Sequence, residues 1–386
     1  MTDKPRFVGE RKVVTLGDSS TLVMGQSPAS DSYNQDGEGL PFYQGNADFG
    51  RESPTPRIWC TDPKKIAEKG DILISVRAPI GAVNTASERC CIGRGVAAIR
   101  PNQQLLTTSF LKHQLLASSK KLEAMGTGST FKAVGKKALT SFPISLYPTI
   151  AQAVIEQQLD WTLNELEVAK RQLTSLDSLV KSRFVEMFGD SDSSAFDTVL
   201  VEDVCTDVVD CPHQTPKYQG KLTHPAIRTS ELVGTTIDWS TMRYVSEEEY
   251  SRRVKRLKPR PGDVVYAREG VYGTAAILPE GYQFCLGQRT MLYRPNGELC
   301  TSSYLLYSLT SDDVKKQADM LNIGSTVPHV NVKDAKRFKI MLPPLELQHQ
   351  FADFVAQVDK SRFVVLNEKI SRIQLISRRI AHRFSR

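Results

Sequence analysis

No stretch of this 386-residue chain stays apolar for long. Runs such as Val264-Val265-Tyr266-Ala267 fall far short of the ~18 consecutive apolar residues that a membrane helix needs. The segment Met1-Thr-Asp-Lys-Pro-Arg6 has no apolar core behind it and does not read as a secretory signal. Both absences point to a cytoplasmic protein with no membrane partner. Histidine and cysteine are scarce, with six of one and seven of the other. His113, His213, His224, His329, His349 and His382 are scattered, and none stands beside a nucleophile motif such as G-x-S-x-G. The cysteines are odd in number and lack disulfide-like spacing. They are expected to be reduced and mostly buried.

The motifs of catalysis are missing as well. There is no G-x-x-x-x-G-K-[S/T] loop, no G-x-G-x-x-G after a strand, no H-E-x-x-H and no C-x-x-C. Gly126-Thr-Gly128-Ser-Thr130 resembles a phosphate loop only superficially, because the lysine that should follow is absent. Cys205, Cys211 and His213 lie close in sequence, but no fourth ligand is evident and the other half of the chain has no counterpart. The Asn/Asp-Pro-Pro-aromatic tetrad that amino-methyltransferases use on an extruded base is also missing. The chain is therefore expected to hold no metal and no cofactor, and to catalyse nothing by itself.

What is present is an ordinary globular composition, 40% hydrophobic and 24% charged, in a chain long enough for two or three domains. The formal net charge of +7 permits a polyanionic partner without requiring one.

The strongest signal is self-similarity. Blocks offset by about 192 to 196 positions recur in the same order. Lys69-Gly-Asp71-Ile-Leu-Ile-Ser-Val-Arg77 matches Pro261-Gly-Asp263-Val-Val-Tyr-Ala-Arg268, and Gly81 and Gly273 follow them. Cys91-Ile-Gly93-Arg94 matches Cys285-Leu-Gly287-Gln-Arg289. Arg100-Pro101 matches Arg294-Pro295, and Gly128-Ser-Thr130 matches Gly324-Ser-Thr326. Ser141-Phe-Pro-Ile-Ser-Leu-Tyr-Pro148 matches Arg337-Phe-Lys-Ile-Met-Leu-Pro-Pro344. The period is too long for a solenoid, so the chain carries a duplicated domain with pseudo-twofold symmetry. Short β-rich runs bounded by Gly and Pro (71–76, 96–99, 263–267 and 290–293) alternate with helical stretches (109–122 and 302–320). Each repeat thus reads as a mixed α/β domain, with its strand order left open.

A long amphipathic helix follows each repeat. From about Ile150 to Phe188 there is no Gly or Pro, and Leu159, Leu166, Leu173, Val180 and Met187 recur every seven residues. Such a helix of ~38 residues is about 57 Å long. In the second helix, from Glu346 onward, Leu366, Ile373 and Ile380 share that spacing. The two helices are expected to pack as an antiparallel, coiled-coil-like spacer. The division is 1–148 for the first domain, 149–190 for the central helix, 191–343 for the second domain and 344–386 for the C-terminal helix.

Leu176-Asp-Ser-Leu-Val-Lys-Ser-Arg-Phe-Val-Glu-Met-Phe-Gly-Asp190 resembles the central spacer of type I restriction enzyme specificity subunits. Pro343-Pro-Leu-Glu-Leu-Gln348 with Phe351-Ala-Asp-Phe-Val-Ala-Gln-Val-Asp-Lys360 is similar to the end of their second target domain and its spacer. The first repeat departs from the pattern, ending Leu146-Tyr-Pro-Thr-Ile-Ala-Gln152 without a double proline. The resemblance implies a non-catalytic subunit with two target-recognition domains, each reading one half of a bipartite site in double-stranded DNA. It implies two modification subunits that use S-adenosylmethionine to methylate adenine, and motor-nuclease subunits that use ATP and Mg. The spacer residues named above would then dock partners.

Reading bases needs side chains that reach base edges, Arg for guanine and Asn or Gln for adenine, with hydroxyls and Lys holding phosphates. In the first repeat the candidates are Gln26, Ser27, Tyr33, Gln44, Asn46, Arg77 and Arg94. In the second they are His213, Gln214, Lys217, Tyr218, Arg228, Thr229, Arg268 and Arg289. Arg77 and Arg268 are read as ending equivalent strands, and Arg94 and Arg289 as following equivalent glycines. Because the loops differ, the two half-sites should differ and the target should be asymmetric. A protein-binding scaffold with duplicated domains is the alternative, and steep salt dependence would separate the two. A self-sufficient nuclease or methyltransferase is a third reading, disfavoured by the missing motifs.

Overall fold

The computed structural model describes residues 11–128, 132–189, 196–212, 214–220, 224–270, 273–321 and 329–384, with side chains up to 369. Two compact units emerge. The first comprises Met1–Val168 with Lys369–Arg386, and the second comprises Ala169–Glu368, so each long helix is shared between them.

The two units carry the same two main sheets, which supplies the strand order that the sequence left open. In the first unit an antiparallel sheet runs Ser20–Met24, Val96–Pro101, Ile72–Ser75, Val83–Thr85. In the second the same order is Cys205–Asp210, Thr290–Pro295, Val264–Ala267, Ala275–Ile277. Beside it lies a mixed sheet with one parallel pair. That pair is Leu40–Tyr43 with Cys90–Ile92 in the first unit and His224–Ile227 with Cys285–Leu286 in the second. A two-stranded ribbon completes each unit, Lys12–Thr15 with Pro143–Leu146 and Thr198–Leu200 with Lys339–Met341.

The repeated sequence blocks hold this frame together. Gly70 and Gly262 take φ of +89° and +88°, a turn that suits glycine, and deliver Asp71 and Asp263 into the interior. Arg100 grips Asp71 through Nε and Nη2, both at 2.8 Å, and Arg294 grips Asp263 through the same atoms at the same distances. The Gly-Asp block and the Arg-Pro block therefore recur because they are the two halves of one ion pair. Such bidentate pairs are strong and directional.

The long helices occupy Thr149–Phe188 and Leu345–Phe384. Each starts from a buried glutamine. Gln152 donates to Leu105 O and Tyr147 O and accepts from Thr107 N. Gln348 donates to Leu299 O and Pro343 O and accepts from Thr301 N. Thr107 and Thr301 are themselves the N-caps of the helices Thr108–Ala117 and Ser302–Leu309.

In the second unit Phe184 packs against Phe351, Arg183 lies over Phe354, and Asp177 pairs with Arg362. Rising numbers on one helix meet falling numbers on the other, so the two run antiparallel. In the first unit Lys369 Nζ meets Glu165 Oε2 at 2.7 Å. The contact ridge is not the seven-residue stripe as the sequence suggests it. Val180 lies on it, fully buried, but Leu166 and Leu366 are 40% and 46% exposed. Leu159, Leu173 and Met187 are half-buried. The buried ridge passes through Leu176, Val180, Phe184 and Phe188, and through Phe351, Val355 and Val358 on the partner helix. A straight helix turns every 3.6 residues, so a strict heptad drifts ~20° per repeat off the seam. Side chains of Ile373 and Ile380 lie outside the described residues.

The second unit's core is aromatic, with Tyr266, Tyr293, Tyr304 and Phe338 fully or almost fully buried alongside Phe184, Phe188 and Phe351. The first unit's is aliphatic, built on Ile72, Ile74, Ile99, Leu111, Leu115 and Leu139.

Candidate nucleic-acid interface

In the first unit, five of the seven candidate residues converge. Ser27, Gln44, Asn46, Arg77 and Arg94 line one concavity of about 570 Å3, together with Arg57 and Asp48. The parallel strand pair sets its floor. Gly93 N donates to Tyr43 O at 2.8 Å, which brings Arg94 beside Gln44. A Cβ on Gly95 would lie 2.2 Å from Gln44 O, so only glycine allows that approach. Gln44 N donates to Asp48 Oδ2 at 2.7 Å, and Asp48 also pairs with Arg57. The Gln44 side chain is left exposed. Arg94 is exposed too, with Nε 3.4 Å from Ser27 Oγ. Arg77 is exposed, and among the described residues no carboxylate pairs with it.

Gln26 and Tyr33 stand apart from this group. Gln26 is exposed, with its backbone N–H bonded to Ile92 O. Tyr33 is a packing residue. Its hydroxyl donates to Pro28 O at 2.8 Å and its ring lies 4.9 Å from that of Phe42. Desolvation by burial raises its pKa.

The second unit repeats the frame with different side chains. Gly287 N donates to Ile227 O at 2.7 Å, and a Cβ there would lie 2.5 Å from Arg228 Cγ. Arg228 N donates to Glu231 Oε2 at 2.8 Å, as Gln44 N does to Asp48. Here the arginine held by the capping carboxylate is Arg228 itself, which reaches Glu231 through Nε and Nη2. Glu231 is fully buried. Arg228 also lies over the Tyr218 ring at 5.7 Å, with Arg243 on that ring at 5.0 Å. Arg243 is a cation the sequence reading missed. Nothing local marks it, because the ring it uses is 25 positions away on a neighbouring strand. Gln214 is anchored by two arginines, through Arg252 to its side chain and Arg253 to its carbonyl. Lys217 is exposed and Thr229 half-buried. His213 lies outside the described residues.

Two equivalences read from sequence shift by one residue. The bridges Arg77↔Ala133 and Glu269↔His329, with the bonds from Val134 N to Val76 O and from Val330 N to Arg268 O, make Glu269 the counterpart of Arg77 and Arg268 the counterpart of Val76. A one-residue slip turns a side chain to the other face. Arg268 accordingly bonds Val330 O through Nη1, and its Nε is buried with no partner. Likewise the counterpart of Arg94 is Gln288, whose Nε2 donates to Thr215 Oγ1 at 2.7 Å. Arg289 takes the place of Gly95, at a φ of +66° rare for a side-chain-bearing residue, and pairs with Glu269.

All seven cysteines are free, and six are buried. Burial pushes Cys90, Cys91 and Cys300 up to about 12. Among the described residues no cluster of His, Cys, Asp and Glu is arranged to hold a metal ion. No described helix is long and apolar enough to cross a membrane.

Comparison with known proteins agrees with this duplicated frame. A chain from Methanocaldococcus jannaschii, named as the MjaX specificity subunit of a type I restriction enzyme, is 40% identical over 172 residues. That match spans 44% of this chain and only 40% of the relative. The MjaVIII specificity subunit of a type I restriction enzyme from the same organism is 22% identical over 382 residues, covering 93% of this chain and 88% of the relative. The solved type I restriction-modification S subunit from M. genitalium shares the fold with a TM-score of 0.53 at 14% identity, covering 97% and 96% of the two chains. The family profile described as "Type I restriction modification DNA specificity domain" matches twice, over residues 9–176 and 219–375, and the chain belongs to that family.

Proposed function

We propose that this chain is the DNA-reading subunit of a type I restriction-modification enzyme, and that each unit reads one half of a bipartite, asymmetric target. The observation that carries this reading is the recurrence of one polar frame with unlike side chains. A capping carboxylate, a glycine packed on the end of the parallel strand (Gly93 or Gly287) and an amide or guanidinium recur in both units, yet the side chains differ. Arg, Gln and Asn are the side chains that distinguish base pairs in the major groove. Arg57, Arg77 and Arg94 against the single carboxylate Asp48 give the first concavity the charge to meet a phosphate backbone.

The chain itself is non-catalytic in this reading and takes no cofactor. Two modification subunits supply S-adenosylmethionine and methylate adenine. Motor-nuclease subunits supply ATP hydrolysis, with Mg, and cleavage, all in the cytoplasm. The exposed Leu166 and Leu366, with their neighbours Leu163 and Phe363, offer these subunits apolar docking points on the long helices.

Long-read methylome sequencing of a methylation-free host tests this reading. The host carries the modification subunit with and without this chain. One split, non-palindromic motif appearing only with the chain is the expected result. A folded chain bound to its partner that produces no motif would favour a protein-binding scaffold instead.

A further inference from the structure

The two units present the same pair of reading positions with their chemistry exchanged. Position 44 and position 228 each follow a strand in parallel pairing, each bond a carboxylate through the backbone N–H, and each lie against the glycine that opens the next loop. Positions 94 and 288 each follow that glycine, and each reach a hydroxyl, Ser27 or Thr215, on the loop after an equivalent edge strand. The first unit has Gln44 with Arg94. The second has Arg228 with Gln288.

We infer that these four side chains are the base-specifying residues: adenine faces Gln44 and guanine faces Arg94 in one half-site, while guanine faces Arg228 and adenine faces Gln288 in the other. The inference rests on the DNA-reading function proposed above. A carboxamide can give adenine one donor and one acceptor, and a guanidinium can give guanine two donors. The neighbours leave those groups available. The Gln44 side chain is exposed, and its capping carboxylate pairs with Arg57 and not with Gln44's own amide group. Gln288 spends one amide hydrogen on Thr215 and keeps the other and its oxygen. Glu231 takes Nε and Nη2 of Arg228, and Nη2 also donates to Thr241 O at 3.3 Å, which fixes the plane of the guanidinium and leaves the two Nη1 hydrogens open as the donors for guanine. Arg94 is held only at Nε, through a long 3.4 Å contact with Ser27.

The experiment uses the full chain with its modification subunits in a methylation-free host. If the unaltered chain gives no motif, DNA reading itself fails. Given a motif, Gln44→Arg should replace an adenine by a guanine at one position of one half. Arg94→Gln should make the reverse exchange at a second position of that same half. Arg228→Gln should alter only the other half. It is made together with Glu231→Gln so that no carboxylate is left buried and unpaired. Variants that methylate the original motif with undiminished selectivity would overturn the inference. For a variant that methylates nothing, the purified complex is titrated with duplexes carrying each of the four base pairs at each motif position. Loss of ~10- to 100-fold discrimination at one position is the expected result. An equal loss against all four base pairs would assign the residue to phosphate contact or folding, and would also overturn it.

Discussion

The backbone N–H of Thr301 donates to Gln348 Oε1 at 2.9 Å, and this bond fastens the start of one long helix to the start of a short one. The same relationship joins Thr107 to Gln152 at 3.1 Å. Each glutamine is completely buried and uses both ends of its amide.

Gln348→Ala would strand Thr301 N–H, Leu299 O and Pro343 O together. Each buried polar group left without a partner costs about 1–3 kcal/mol. The second unit should lose several kcal/mol in urea denaturation, and the amide of Thr301 should exchange with solvent far faster. Wild-type protection at that amide would contradict the role assigned to the glutamine.

Asp263→Asn removes the bidentate partner of Arg294, whose side chain is only 10% exposed, and leaves it only the longer 3.5 Å contact with Asp207. Breaking such a pair costs about 3–5 kcal/mol. The equivalent Arg100 is 49% exposed, so Asp71→Asn should cost less, on the order of 1–3 kcal/mol. Thermal unfolding of the two variants should rank them in that order.

Arg77 and Arg94 face the concavity without carboxylate partners among the described residues, whereas Arg289 is paired with Glu269. Arg77→Ala should lower the slope of log affinity against log salt by ~0.9 through the loss of one phosphate contact. Arg289→Ala should change it much less. Equal slopes for the two variants would show that local pairing does not govern their contribution.

The buried thiols set a limit at high pH. Cys90, Cys91 and Cys300 rise from 9.0 to about 12, chiefly through desolvation. The unfolded chain loses those protons first, so their contribution to stability is complete below pH 9 and is lost as pH climbs through 12. A thiol reagent at neutral pH should find these three unreactive until denaturant is added. Fast labelling of the native protein would overturn this.

Much of the frame was legible in the sequence. The runs at 71–76, 96–99, 263–267 and 290–293 are strands within a residue or two, because buried central strands carry dense β-branched and apolar side chains. The long helices followed from the absence of Gly and Pro. The mixed sheets were not legible. Their strands are two to four residues long, too short to show a period. The pairing of Asp71 with Arg100 was hidden for another reason: both blocks were visible as repeats, but their contact is a tertiary fact. The candidate residues of the first unit were legible as polar loops. The carboxylates Asp48 and Glu231 were not, since nothing in sequence separates a capping acid from a solvated one. The shift that makes Glu269 the counterpart of Arg77 could be seen only through backbone pairing.

Asp48 is neutralised by Arg57, a residue outside the reading pair, while Glu231 is neutralised by Arg228, which belongs to it. The two units should therefore differ in how readily they acquire new targets. At position 44 an altered side chain disturbs no buried charge, so drift there is cheap and variants should accumulate. At position 228 any departure from arginine orphans a buried acid, and a new letter requires two changes at once. One half of the recognition sequence is thus free to diversify, and the other is held by a double lock.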